Sequence, residues 1–181
     1  MSLNLFDLTG KTALITGATH GLGKAMAIGL GKAGATLAIN GASSQEKLDK
    51  AVIEYEALGL KAHGFLFDVT NETKVIENIL KIEQEVGPID ILVNNAGIIK
   101  RIPLEEMEVA DFEEVVKVDL VSPFIVSKQV VKGMIARKEG KIINICSMMS
   151  ELGCIDGRCS RCCQRRIKDA YAQYGNRMGQ I

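Results

Sequence analysis

Apolar residues recur along the chain in two alternating rhythms. Short runs, KTALIT (11–16), ATLAIN (35–40), AHGFLFDV (62–69), IDILVNN (89–95) and GKIINIC (140–146), are bounded by glycine or polar residues. Between them lie longer stretches with apolar positions three or four apart: KAMAIGLGKAG, KLDKAVIEYEALG, ETKVIENILKIEQEVG, and residues 111–138. Runs without polar alternation predict strands buried on both faces, and the longer spacing predicts amphipathic helices. Ser43 and Glu46 stand at capping-box spacing and predict the start of the second helix. Strand and helix alternating five times, with right-handed crossovers, give an α/β fold: a doubly wound parallel sheet with helices on both faces.

Composition narrows the class. Aromatics make up 4% of the 181 residues and glycine is abundant, which suits helices on a parallel sheet better than a β-sandwich. No 18-residue apolar run and no basic-then-apolar leader occurs, so a soluble, unexported protein without a membrane partner is expected. The formal charge of zero hides an asymmetry. Residues 154–181 hold six of the 22 Lys and Arg, two of the 22 Asp and Glu, and four of the five cysteines. The remaining body is mildly acidic, which does not suit nucleic acid as a partner. The chain therefore divides into one domain over 1–153 and a Cys- and Arg-rich tail over 154–181. Cys159-x-x-Cys162, with Cys154 and Cys163, offers four thiols. Adjacent Cys162 and Cys163 cannot easily both ligate one tetrahedral zinc, and no metal site is expected.

The chemistry gathers where strands end. TGATHGLG (16–23) joins the first strand to the first helix. Glycines there let the backbone approach a pyrophosphate, and the helix N-terminus offers unpaired N–H groups. FDV (67–69) ends the third strand with a carboxylate able to accept an adenine amino group. NNAG (94–97) ends the fourth with small residues, and NICS (144–147) ends the fifth with a hydroxyl. Open parallel sheets bind ligands at these carboxyl ends.

Thr16–Gly23 matches T-G-x-x-x-G-x-G and Asn94–Gly97 matches N-N-A-G, so the chain resembles the short-chain dehydrogenase/reductase family. NNAGIIKRIPLEEM, VDLVSPFIVSK and GKIINICSMMSELG are similar to its gluconate 5-dehydrogenase members. The resemblance covers residues 5–153. It implies a Rossmann-type fold, NAD(P)-dependent interconversion of D-gluconate and 5-keto-D-gluconate, and a cytoplasmic homotetramer. By position, it implies that Gly17, Thr19, His20, Gly21, Leu22 and Gly23 cradle the cofactor phosphates, Asp68 and Val69 hold adenine, and Asn95, Ala96 and Gly97 hold ribose. Ser147 would bond the substrate oxygen, and Asp119 stands where many members carry a proton-relay Asn. The second strand is followed by INGASS, without the acid that favours NAD; Ser43 and Ser44 offer hydroxyls there instead. NADP is expected, with NAD as the alternative. His20 is either a phosphate contact or a loop histidine without a role. Arg101 is either a clamp on the substrate carboxylate or a solvated charge. His63 is given no function.

The family's Tyr and Lys are missing. Counted from Ser147, their slots hold Ser160 and Gln164, and no Tyr-x-x-x-Lys occurs: four residues after Tyr55, Tyr171 and Tyr174 stand Gly59, Gly175 and Met178. The Lys is what lowers the Tyr pKa from about 10 toward working pH. A set of codons exists for Gln164–Ile181 that, read from the second nucleotide, gives KGGLKMLTRNMATEWGK, the family's own sequence beyond the Tyr. Ser160 codons cannot yield Tyr in that frame, so the shift accounts for the tail but not for that slot. Residues from about 154 onward are thus expected to be an out-of-frame ending, with the fold incomplete on its C-terminal side and the chain inactive. A non-catalytic nucleotide-binding fragment is the alternative reading. The coding DNA past codon 153 decides the frame.

Overall fold

The computed structural model describes residues 4–103 and 105–146. Five strands, β1 (Thr12–Ile15), β2 (Thr36–Gly41), β3 (Ala62–Leu66), β4 (Ile89–Asn94) and β5 (Lys141–Asn144), form one sheet in the order β3-β2-β1-β4-β5. Every pairing is parallel. α1 (Gly21–Lys32) links β1 to β2, α2 (Gln45–Ala57) links β2 to β3, and α3 (Glu72–Glu85) links β3 to β4. Between β4 and β5 lie α4 (Val109–Val116), a π-helical turn (Lys117–Val121) and α5 (Ser122–Arg137).

Alternate residues of each central strand feed opposite layers. Ala13, Ile15, Leu37, Ile39 and Val93 join α1 and α2 residues such as Ala27, Leu48 and Tyr55 in one core. Leu14, Ala38 and Leu92 join Val75, Ile79 and Ile82 of α3 and Val126, Val130 and Met134 of α5 in the other. This is the doubly wound α/β fold expected from the alternating pattern. The chain runs outward from β1 to β3, then returns to place β4 on the other side of β1. Ligand sites of such sheets lie at that reversal, beyond the carboxyl ends of β1 and β4.

Three local details differ from the sequence-based expectation. Helix α2 is capped by Ser44, whose Oγ accepts from Lys47 N at 3.2 Å, while Ser43 stays exposed one residue earlier. β3 ends at Leu66, because Asn40 Nδ2 takes the Phe67 carbonyl at 2.9 Å and Asp68 Oδ1 turns to accept Thr70 N at 2.8 Å. The long helix expected over 111–138 is broken by the π turn. Pro123 has no N–H to return to the Asp119 carbonyl, and Ser122 N instead reaches back five residues to Lys117 O. Ser147, the Ser160 and Gln164 slots, and the whole tail with its cysteines lie outside the described residues.

Candidate functional site

The turn after β1 is fastened from three sides. Thr16, buried, accepts at Oγ1 from Asn95 N and Ala96 N, both at 3.0 Å. Asn95 Nδ2 donates back to Thr16 O at 3.0 Å and Gly17 O at 3.1 Å. From β2, Asn40 Oδ1 accepts Gly17 N at 3.2 Å. From α2, the fully buried Tyr55 hydroxyl donates to Ala18 O at 2.7 Å, and burial pushes the phenol's pKa up, so it remains a donor. Each contact consumes a backbone group that the tight turn would otherwise bury unpaired.

Close approach explains two of the glycines. Gly17 has φ of 64°, and a Cβ there would stand 2.9 Å from Ala96 Cα. A Cβ on Gly23 would stand 2.4 Å from Asn95 Nδ2 and 2.6 Å from Gly17 O. The two loops are therefore packed backbone to backbone at the sheet's reversal point. Helix α1 begins immediately beyond. Its N-cap His20 makes no side-chain cap bond and no acid lies in the first turn, which leaves that turn's N–H groups for an anion.

A cavity of about 520 Å³ opens over this floor. Its lining contains Gly17, Thr19, His20, Gly21, Leu22, Gly23, Ser43, Ser44, Asp68, Val69, Asn95, Ala96 and Gly97. The structure thus brings every residue proposed for cofactor contact to one cleft. It also adds Gly41, Ala42, Lys47, Thr70, Ile98 and Val118. Asn95, whose Nδ2 donates to Thr16 O and Gly17 O, also braces the loop that lines the cleft.

A second cavity, of about 260 Å³, continues past Asn95–Ile98 and is lined by Ile99, Asp119, Pro123, Asn144, Ile145 and Cys146. Asp119 is 6% exposed, and its Oδ1 accepts Ile98 N at 2.9 Å. Burial raises its pKa, while the Ile98 bond opposes the shift. Asn94 Nδ2 donates to Ser127 Oγ at 2.9 Å and Asn144 Oδ1 at 2.8 Å, which ties α5, β4 and β5 together beneath this cavity. Arg101 is exposed and lines neither cavity. Its neighbour Lys100 is held by Asp111 and Glu114, and those carboxylates raise the ammonium's pKa.

Four residues of this floor escape sequence reading. Thr16 was visible as part of a motif, but its double acceptor role was not. Asn40, Tyr55 and Lys47 carry no motif signal, because the turn residues that Asn40 and Tyr55 hold lie 23 and 37 residues away and Lys47 joins the others only in a cleft formed on folding.

A parallel sheet with a glycine turn, an open helix N-terminus and a cleft across its reversal point defines a dinucleotide-binding unit. Residues 11–158 match the model of the short chain dehydrogenase family, and the chain belongs to that family. It is 69% identical over 153 residues to the 2-dehydro-3-deoxy-D-gluconate 5-dehydrogenase of Formosa agariphila, covering 84% of this chain and 58% of that protein. It is 46% identical over 149 residues to the gluconate 5-dehydrogenase of Gluconobacter oxydans, covering 82% of this chain and 58% of that protein. The chain spans about 58% of the length of these curated relatives. A crystal structure of a Burkholderia cenocepacia gluconate 5-dehydrogenase in complex with NADP and tartrate superposes with a TM-score of 0.87 at 39% identity, covering 94% of this chain and 66% of that one. Among the described residues, no helix is long and apolar enough to cross a membrane.

Proposed function

We propose that this chain carries the NADP(H)-binding unit of a gluconate-type 5-dehydrogenase and does not itself turn over substrate. The observation that carries the reading is the single cleft that collects the glycine turn, Asp68–Val69 and Asn95–Gly97. The residues fit a dinucleotide: side chains at Gly17 and Gly23 would fill the space between the two loops, and the α1 N-terminus faces the cleft without an acid. NADP, when bound, supplies the hydride acceptor or donor. The chain's own groups hold it: the α1 N–H groups and Thr19 hold the phosphates, Asp68 the adenine, and the Ala96–Gly97 backbone borders the ribose.

The adjoining cavity, lined by Asp119, is where a sugar acid would bind, and by its place in the family motif Ser147 would bond the substrate oxygen. Interconversion of D-gluconate and 5-keto-D-gluconate is the proposed reaction type. The 69% identity to the Formosa agariphila protein favours 2-dehydro-3-deoxy-D-gluconate as a second substrate candidate. Both involve a C5 hydroxyl or ketone of a six-carbon acid. Arg101 would have to swing inward to meet the carboxylate. The complete protein is proposed to be a cytoplasmic homotetramer with neither nucleic acid nor membrane as partner.

Catalysis needs a proton donor for the alkoxide, and the Tyr and Lys slots hold Ser160 and Gln164. A Ser hydroxyl cannot replace a phenol whose pKa a nearby ammonium lowers toward neutrality. NADPH oxidation by the purified chain with 5-keto-D-gluconate, and NADP+ reduction with 2-dehydro-3-deoxy-D-gluconate, should both stay at background. Turnover near the usual enzymatic range, on the order of 1–10³ per second, would overturn the non-catalytic reading.

A further inference from the structure

The nucleotide end of the cleft contains a cation that no motif accounts for. Lys47 lines the cavity, and its position is fixed: its backbone N–H donates to the Ser44 cap at 3.2 Å, which sets it in the first turn of α2. The side chain is exposed and enters no ion pair among the described residues. Lys24 on α1, by contrast, is bound to Glu54 of α2, which also feels the charge of Lys50. Glu46, beside Lys47 in sequence, does not line the cleft, and among the described residues Asp68 is the one acid that does. Asp68 already accepts Thr70 N with one oxygen.

The surroundings bring further donors to the same corner. A Cβ on Gly41 would stand 3.2 Å from Thr19 Cγ2, so the end of β2 packs directly against the glycine turn. That contact puts Ser43, Ser44 and Lys47 on one rim of the cleft and Thr19 and His20 on the other. The Ser44 oxygen accepts from the helix, so its O–H remains a donor. Ser43, Ser44 and Lys47 therefore present an ammonium and two hydroxyl donors on that rim.

We infer that Lys47 is the specificity-determining cation of this site, binding the 2′-phosphate of NADP(H) together with the hydroxyls of Ser43 and Ser44. The inference rests on the NADP reading above and deepens it. A phosphate monoester dianion gains charge-assisted hydrogen bonds from this rim, whereas the free 2′-hydroxyl of NAD(H) gains nothing from the ammonium. Lys47, in the first turn of α2, gives this chain the basic group that the INGASS stretch lacks.

The test uses the full chain and equilibrium binding, so it does not depend on turnover. Adenosine 2′,5′-bisphosphate and 5′-AMP are titrated calorimetrically into wild type, Lys47→Gln, Lys47→Arg and the control Lys50→Gln. Wild type should bind the bisphosphate more tightly than AMP. K47Q should weaken the bisphosphate about tenfold or more and leave AMP within about twofold, as expected for one charged hydrogen bond. K47R should retain most of the preference, and K50Q all of it. Equal weakening of both ligands by K47Q, or none, overturns the role of Lys47 while leaving the NADP preference standing. A wild type that prefers AMP, or binds neither ligand, overturns the NADP reading itself and this inference with it.

Discussion

Single side chains hold the cleft's floor in place, and Tyr55 shows how. Its ring fills the core between α2 and the sheet, and its hydroxyl meets the carbonyl of Ala18, a residue with no exposed surface. Replacing Tyr55 by Phe keeps the packing and strips that carbonyl of a donor, a loss of about 1–3 kcal/mol for a buried group left unpaired. Urea denaturation of Y55F should show the destabilisation with an unchanged m-value. Stability equal to wild type would mean that the Ala18 carbonyl finds another donor. The sequence made the glycines and the N-N-A-G segment legible, because close backbone approach admits few residue types. Tyr55 was legible only as an apolar helix position, since nothing local distinguishes a buried phenol with a partner from one without. The same holds for Lys47, which reads as a solvated helix charge until the fold sets it on the cleft rim. Arg101, weighed as a carboxylate clamp, stands exposed outside both cavities.

At the scale of elements, the order and type of all five strands and of the helices between them followed from the spacing of apolar residues. The π turn did not. An extra residue inserted in a helix leaves the three-to-four spacing nearly intact on either side, and Pro123 is the one local sign of it. The turn matters because it drives Asp119 into the protein, against the Ile98 amide and the second cavity. Burial raises the Asp119 pKa above its ordinary 3.8, so above that pH the folded chain binds more protons at this site than the unfolded chain does. Stability attributable to Asp119 is then greatest below pH 3.8 and is lost as pH rises from there through the raised folded value. Asp119→Asn keeps an oxygen for the Ile98 N–H and removes the titration. D119N should match wild type in acid and be the more stable of the two near neutrality, as read from urea midpoints at both pH values. A difference that does not change with pH would contradict this.

On the scale of the whole molecule, strands, loops and caps converge on one place. The chain order reverses between β1 and β4, and residues drawn from four strand ends and two helix starts line a common cleft there. That convergence is why a few short motifs, far apart in sequence, could be expected to meet in one cleft. The catalytic side is different in kind. Ser147 and the slots at 160 and 164 fall outside the described residues, and their chemistry is argued from the sequence alone. On the described surface, Ile143 of β5 is 45% exposed and Val109, Phe112 and Val121 of the α4–α5 segment are also exposed, so apolar area remains beyond what this sheet and its helices cover.

The chain, as proposed, keeps a working NADP(H) cleft without the Tyr and Lys that would use it. Titration of the purified full chain with NADPH, followed by nucleotide fluorescence and repeated with NADH, tests this most directly. Saturable binding of NADPH, stronger than that of NADH, is the predicted result. A folded chain that leaves NADPH fluorescence unchanged across the titration, and fails to bind it in parallel calorimetry, would contradict the claim.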